Sequence, residues 1–297
     1  MSDDRIEELL ERLYDASDDD EIRSISREIL KLDPTHPSAR VALWTLKDEE
    51  EALRSVGDLE EALDEAIKRM GGRPEGIYDE NPLTPTYGEA LMHLAAANHS
   101  LERYDRAEAY ARDLVAFDPE EEAFPGRLIL YRTLLDKGDW DLILDTYDQD
   151  GIDSPAGAHA RAIALIEKDA PEGEIWEAVL EAFSLAPDLP FVILGLEALP
   201  DDEEGEYDQT FHQAAYLDAP WNSSDDRLVY IYLTALLVGV LTGRLEMDEA
   251  EDLEDLLREH PKGEALRRLI TFGGPRPDEP SELDQWAIGK LMEVLVD

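Results

Sequence analysis

Apolar residues return every three or four positions along almost the whole chain, and that spacing is the strongest limit on what it can fold into. Ile6, Leu9, Leu10 and Leu13 follow it, as do Ile22, Ile25, Ile29 and Leu30. Side chains recurring at this interval land on one face of an α-helix, whereas a half-buried strand needs strict alternation. Alternation is scarce here, and no Asn-Gly or Asp-Gly hairpin is flanked by it; Asp150-Gly151 sits between two helical patterns. The expected class is all-α.

Punctuation then divides the helices. Around Leu91, Leu94, Ala95 and Ala96 an apolar helix runs to a break at His99-Ser100; Tyr104-Asp105-Arg106-Ala107 follows, and the segment closes on Phe117-Asp118-Pro119. A small residue such as Ala107 lets two antiparallel helices approach, and proline cannot continue a helix, so it ends one unit and opens the next. Gly57-Asp58-Leu59, Gly138-Asp139-Trp140, Gly205-Glu206-Tyr207 and Gly243-Arg244-Leu245 each place a glycine where one helix is expected to stop and another to start. Gly138 and Gly243 are 105 residues apart and Pro119 and Pro187 are 68 apart, both multiples of a unit of about 34–35 residues. About seven pairs result, near 3–34, 38–70, 86–119, 122–154, 155–187, 190–220 and 225–261.

On these residues the chain resembles a divergent tetratricopeptide-repeat protein, best over 88–187 and more loosely over 38–70 and 225–261. Many pairs lack the family's large aromatic in the first helix, and Pro200 falls where a first helix would continue. The resemblance implies an array of helical hairpins, an α-solenoid. The expected organisation is N-terminal repeat pairs over 1–70, a linker at 71–85 rich in Gly and Pro, a central array over 86–261 and C-terminal capping helices over 262–297. A break at Gly273-Gly274-Pro275 precedes a last helix from Ser281 to about Val296, suited to covering an open end of such an array.

Charge narrows the partners. Against 72 Asp and Glu stand 27 Lys and Arg, a net of −45, and the acids are spread from Asp3 to Asp297 instead of forming a tail. Such a polyanion repels nucleic-acid phosphate and anionic lipid, so neither nucleic acid nor membrane is an expected partner. Only seven of the basic residues are lysines. A uniformly acidic, lysine-poor chain resembles the proteins of extreme halophiles such as haloarchaea, in whose molar salt self-repulsion is screened within about 3 Å. Cysteine is absent, which excludes disulfides and thiolate metal sites. The opening Met1-Ser2-Asp3-Asp4 is acidic where a signal peptide would be basic, and the longest apolar run, Leu228 to Leu241, falls short of the roughly 20 residues that span a bilayer. That run, with Tyr230 and Tyr232, reads as a buried helix, and the expected compartment is the cytoplasm.

Recognisable chemistry is sparse. The six histidines fall at no metal-ligand spacing, and no phosphate-cradling glycine loop or nucleophile elbow occurs. Thr146-Tyr147-Asp148-Gln149-Asp150-Gly151 has the look of a calcium loop, but Gly157 stands where the closing Glu is required, so it reads as an acidic interhelical loop. No cofactor, metal or catalytic residue is expected. By the family's pattern, Glu89, Met92, Leu128 and Arg132 on first helices would line a binding groove, or simply pack between repeats. The expected function is a scaffold or adaptor for a protein or peptide partner. A regulatory module hinged at 71–82 and sensing a peptide or small ligand, and a helical enzyme without a recognisable motif, are the alternatives.

Overall fold

The computed structural model describes residues 2–196, 206–246, 250, 252–272, 276–277 and 279–296. Among them are seventeen helices and no strand. The expected turn at Gly205, the interruption at Pro200 and the break at 273–275 lie outside the described residues.

Helix boundaries follow the punctuation closely. The first expected pair is α1 (Ser2–Asp15) and α2 (Asp19–Leu32); the second is α3 (Pro37–Thr45) and α5 (Val56–Met70), with a short α4 (Glu49–Arg54) between them that the periodicity did not announce. Then come α6 (Thr84–Ser100) with α7 (Tyr104–Phe117), α8 (Gly126–Lys137) with α9 (Trp140–Asp150), and α10 (Pro155–Glu167) with α11 (Glu172–Leu185). The series continues with α12 (Leu189–Ile193), α13 (Glu206–Asn222), α14 (Asp225–Thr242), α15 (Leu253–Glu259), α16 (Gly263–Phe272) and α17 (Pro280–Leu295).

Short polar side chains start these helices by accepting backbone N–H groups that have no intrahelical partner. Asp18 caps α2, Asp48 caps α4, Asp139 caps α9 and Ser154 caps α10; removing such a cap typically costs about 1 kcal/mol. Gly138 and Gly243 end α8 and α14 with φ of +67° and +82°, a left-handed turn that glycine adopts without strain. Gly57 does not behave as expected: it lies inside the first turn of α5, and the stop before it is made by Ser55, which closes α4. The acidic string at 146–151 is likewise no loop. It forms the end of α9, with Gly151 as the left-handed cap, so its carboxylates splay along a helix instead of curling round an ion.

The described chain divides into two compact units, Met1–Thr133 and Leu134–Asp297. In the first, α1 packs on α2, α2 on α3, α3 on α5, α5 on α6 and α6 on α7, and α3 also meets α6. Two apolar clusters hold it: Leu9, Leu13, Ile25 and Ile29 under the first pair, and Trp44, Leu59, Leu91, Leu94, Leu114 and Phe117 among α3, α5, α6 and α7. Gly88 is a contact point in the second, since a Cβ there would stand 2.4 Å from the Phe124 ring. The segment between α5 and α6 is tied down by Arg73 to Asp113 at 2.8 Å and by the Tyr78 hydroxyl donating to Glu122.

The Asp-Pro closures work through their aspartates. Asp118 is buried, and its carboxylate accepts the N–H groups of Glu122, Ala123 and Phe124 at 2.9–3.1 Å, folding the chain after α7. Asp33 accepts the Thr35 N–H and pairs with Arg69 at 2.6 Å; chiefly that guanidinium holds its carboxyl down at about 2.

In the second unit α10, α11 and α14 form the core. Alanines let neighbours approach α10, whose residues from Ala156 to Ile166 are buried except Arg161, while α14 buries Ile231 and Leu233 through Leu241. The last helix, α17, packs on α11 as well as on α14 and α16, reaching back past the pair that precedes it. Its Ala287, Ile288, Leu291 and Leu295 are buried, and Gln285 donates to the Ser184 carbonyl at 2.9 Å. Arg244 stacks on Phe191 and bridges Asp188 and Asp284, tying the ends of α12, α14 and α17 together. No helix among the described residues is long and apolar enough to cross a membrane.

Candidate functional site

The four residues expected to line a groove fall in two pairs. Glu89 and Met92 lie one turn apart on α6, and Leu128 and Arg132 one turn apart on α8. Glu89, Met92 and Arg132 are half-buried, while Leu128 retains only 5% of its surface and serves as packing. Met92 rests against the cluster containing Trp44. His93, one turn beyond Glu89 on α6, stands 5.5 Å from the Trp44 ring of α3. Burial alone raises the Glu89 carboxyl and lowers the His93 imidazole, so both groups are pushed toward their neutral forms. The Trp44 indole N–H is buried without a hydrogen-bond partner. This stretch of α3 and α6 therefore presents aromatic, thioether and carboxyl groups together.

A second site, unforeseen from the sequence, is a cavity of about 470 Å³ in the second unit. Its floor comes from two helices and the turn between them. After α10, Asp169 adopts a left-handed φ of +49°, and the Ala170 N–H reaches back to the Leu165 carbonyl. Pro171 then starts α11, setting Glu172 in its first turn and Trp176 one turn later, with the indole N–H 3.4 Å from the Glu172 carboxylate. Ile166 and Ile175 complete an apolar floor around the buried Trp176 ring.

The wall comes from elements further along the chain. Tyr230 on α14 lies 4.7 Å from Trp176 between ring centroids, and His260, which closes α15, lies 5.5 Å from it edge-on. Tyr230 was expected as core; it is half-buried and faces the cavity, while Leu233, Leu236, Leu237 and Leu241 of the same helix are core. Burial above all, then Glu172 and Asp226, raises its phenol. The His260 side chain keeps 9% of its surface. Its Nδ1 accepts the Lys262 N–H at 3.1 Å, which leaves the proton of the neutral ring on Nε2. Among the described residues that Nε2 has no hydrogen-bond partner, and it stands 3.7 Å from the Glu172 carboxylate. Burial holds the ring below the ordinary imidazole range, with Glu172 opposing.

Exposed carboxylates of Asp169, Glu172 and Asp226 stand round the opening, and among the described residues neither lysine nor arginine lines it. Among the described residues no group of three His, Cys, Asp or Glu converges closely enough to hold a metal ion. The signal for this site was hard to find because its rings come from α11, α14 and α15, separately ordinary. Only the one-turn spacings of Glu172 with Trp176 and of Asp226 with Tyr230 hinted at a shared face.

No protein-family model matches the chain, and no curated protein matches it either.

Proposed function

We propose that this chain is a scaffold or adaptor of the tetratricopeptide type, whose stacked helix pairs hold a peptide or helical segment of a partner protein and perform no chemistry themselves. The observation that carries the reading is the packing order of the first unit. From α1 to α7 each long helix lies on the next along the chain, and α3, the first helix of one pair, also touches α6, the first helix of the next. Stacking of that kind lines first helices into one face, and here the face offers Glu89, Met92 and His93 beside Trp44. The half-buried Met92 thioether suits an apolar anchor from a partner, with Glu89 receiving a donor. The same reading takes the acidity as an adaptation to molar salt in a halophile's cytoplasm.

The test is capture from the native host in molar salt, using the tagged full chain, a Met92→Glu variant and an Ala109→Glu control on the exposed side of α7. A stoichiometric protein should be retained by wild type and control and lost at least about tenfold with Met92→Glu, as expected for an interface anchor. Circular dichroism checks that all three are equally helical. Equal retention by all three chains, or no stoichiometric protein at all, would count against the scaffold.

A further inference from the structure

The cavity framed by Trp176, Tyr230 and His260 has features that the scaffold reading does not use. About 470 Å³ falls within the range of small-molecule sites. Its floor is apolar and aromatic, its opening carries Asp169, Glu172 and Asp226, and among the described residues neither lysine nor arginine lines it. Many surface carboxylates on so acidic a chain lack a cation, so charge alone would say little. Two further observations separate this place from the rest of the surface.

The first is His260. Its side chain is nine-tenths buried, its tautomer is set by the Lys262 N–H, and among the described residues its Nε2 has no hydrogen-bond partner, the Glu172 carboxylate standing 3.7 Å away. The Trp176 indole N–H reaches the same carboxylate at a long 3.4 Å. Glu172 thus stands exposed beside the aromatic floor, with contacts of 3.4 and 3.7 Å to the Trp176 and His260 rings. The second is the spacing of the acids. They ring the mouth without converging, so among the described residues they make no ligand set for a metal ion. A small, strongly hydrated cation needs converging oxygens to replace its water. A large, weakly hydrated one needs only a negative field and a face to lie on, and an aromatic ring supplies both.

The geometry points to a binding site for an organic cation, an alkylated ammonium whose apolar body lies against Tyr230 and the Ile166–Ile175 floor while its charge faces Glu172, Asp226 and Asp169. The half-exposed Val229 beside Tyr230 extends the apolar contact to the rim. This site does not rest on the scaffold reading, and failure of either leaves the other standing. The same ammonium could arrive as a free amine or on the side chain of a methylated lysine, and the two sources are separable.

Saturation-transfer NMR and calorimetry on the full chain, at constant molar ionic strength, test it with choline as the probe. Saturable binding, roughly millimolar, is expected. The neutral alcohol in which carbon replaces the ammonium nitrogen should bind at least about tenfold more weakly, because it keeps the shape and loses the charge. Tyr230→Leu should weaken choline about fivefold or more, and Asp226→Asn with Glu172→Gln together by a similar factor, each with unchanged helical circular dichroism. The carboxylate variants alter exposed groups, so they remain informative should the Tyr230 change disturb folding. N-acetyl-trimethyllysine amide binding more tightly than choline would assign the cation to a protein side chain; the reverse order would assign it to a free amine. Equal binding of choline and the neutral alcohol, binding unchanged in the carboxylate variant, or no saturation would overturn the proposal.

Discussion

His159 sits in α10 with no exposed surface, and its Nδ1 accepts the Trp221 indole N–H at 3.1 Å. Burial lowers its imidazole to about 3, so the folded chain holds it neutral. In the unfolded chain the same ring titrates near 6.5. The folded value is the lower one, so the stability it contributes is fully present above about pH 6.5 and drains away as pH falls toward 3, by about 1.4 kcal/mol per unit. Denaturant titrations at pH 7 and pH 5 in constant salt should show this loss in wild type. His159→Gln, whose amide oxygen can still receive the indole proton, should lose about 2 kcal/mol less over that interval. Carboxylates contribute to both curves, so the difference between the proteins is the readout, and identical slopes would contradict a buried neutral imidazole. Asp118 shows how far such roles were legible. The sequence pointed to a stop at Asp118-Pro119 and credited the proline, whereas the aspartate organises the turn through three backbone N–H groups. Which atom does the work depends on where the chain returns, and periodicity carries no information about that.

At the scale of elements, the boundaries of the helix pairs were legible because proline, capping acids and left-handed glycines act locally. Gly138 and Gly243 are such cases, and Gly57, inside α5, shows that the residue type alone does not specify the conformation. The aromatic cavity was not legible, since Trp176, Tyr230 and His260 become neighbours only when α11, α14 and α15 pack. Helix α17 illustrates the same limit: the break before it and its start near Ser281 suggested a covering helix but not what it would cover. Leu291, fully buried on the helix that packs on α11, α14 and α16, tests that docking. Leu291→Ala should destabilise by about 2–5 kcal/mol, while Glu293→Ala on the exposed side should change stability by no more than about 0.5 kcal/mol. Denaturant midpoints measured at unchanged slope give both values. A Leu291→Ala midpoint equal to that of Glu293→Ala would mean that α17 is not packed as described.

For the whole molecule, a net charge of −45 makes solvent a structural variable. At about 0.01 M ionic strength fields between surface carboxylates extend over about 30 Å, and at molar strength over about 3 Å. If the acidity is a salt adaptation, helical circular dichroism should fall on dialysis from molar salt into dilute buffer and return when sodium or potassium chloride is restored. Full helicity in dilute buffer would remove that interpretation. The way α17 closes onto α11 also sets an order on biosynthesis. Gln285 and its acceptor Ser184 are 101 residues apart. At about 5–20 residues per second, the ribosome needs roughly 5–20 s to deliver the helix that covers α11. The sequential packing of α1 to α7 involves no comparable wait. The first unit can settle as it emerges, whereas in the second the side of α11 that meets α17 stays uncovered through that interval, when a nascent chain most needs a chaperone.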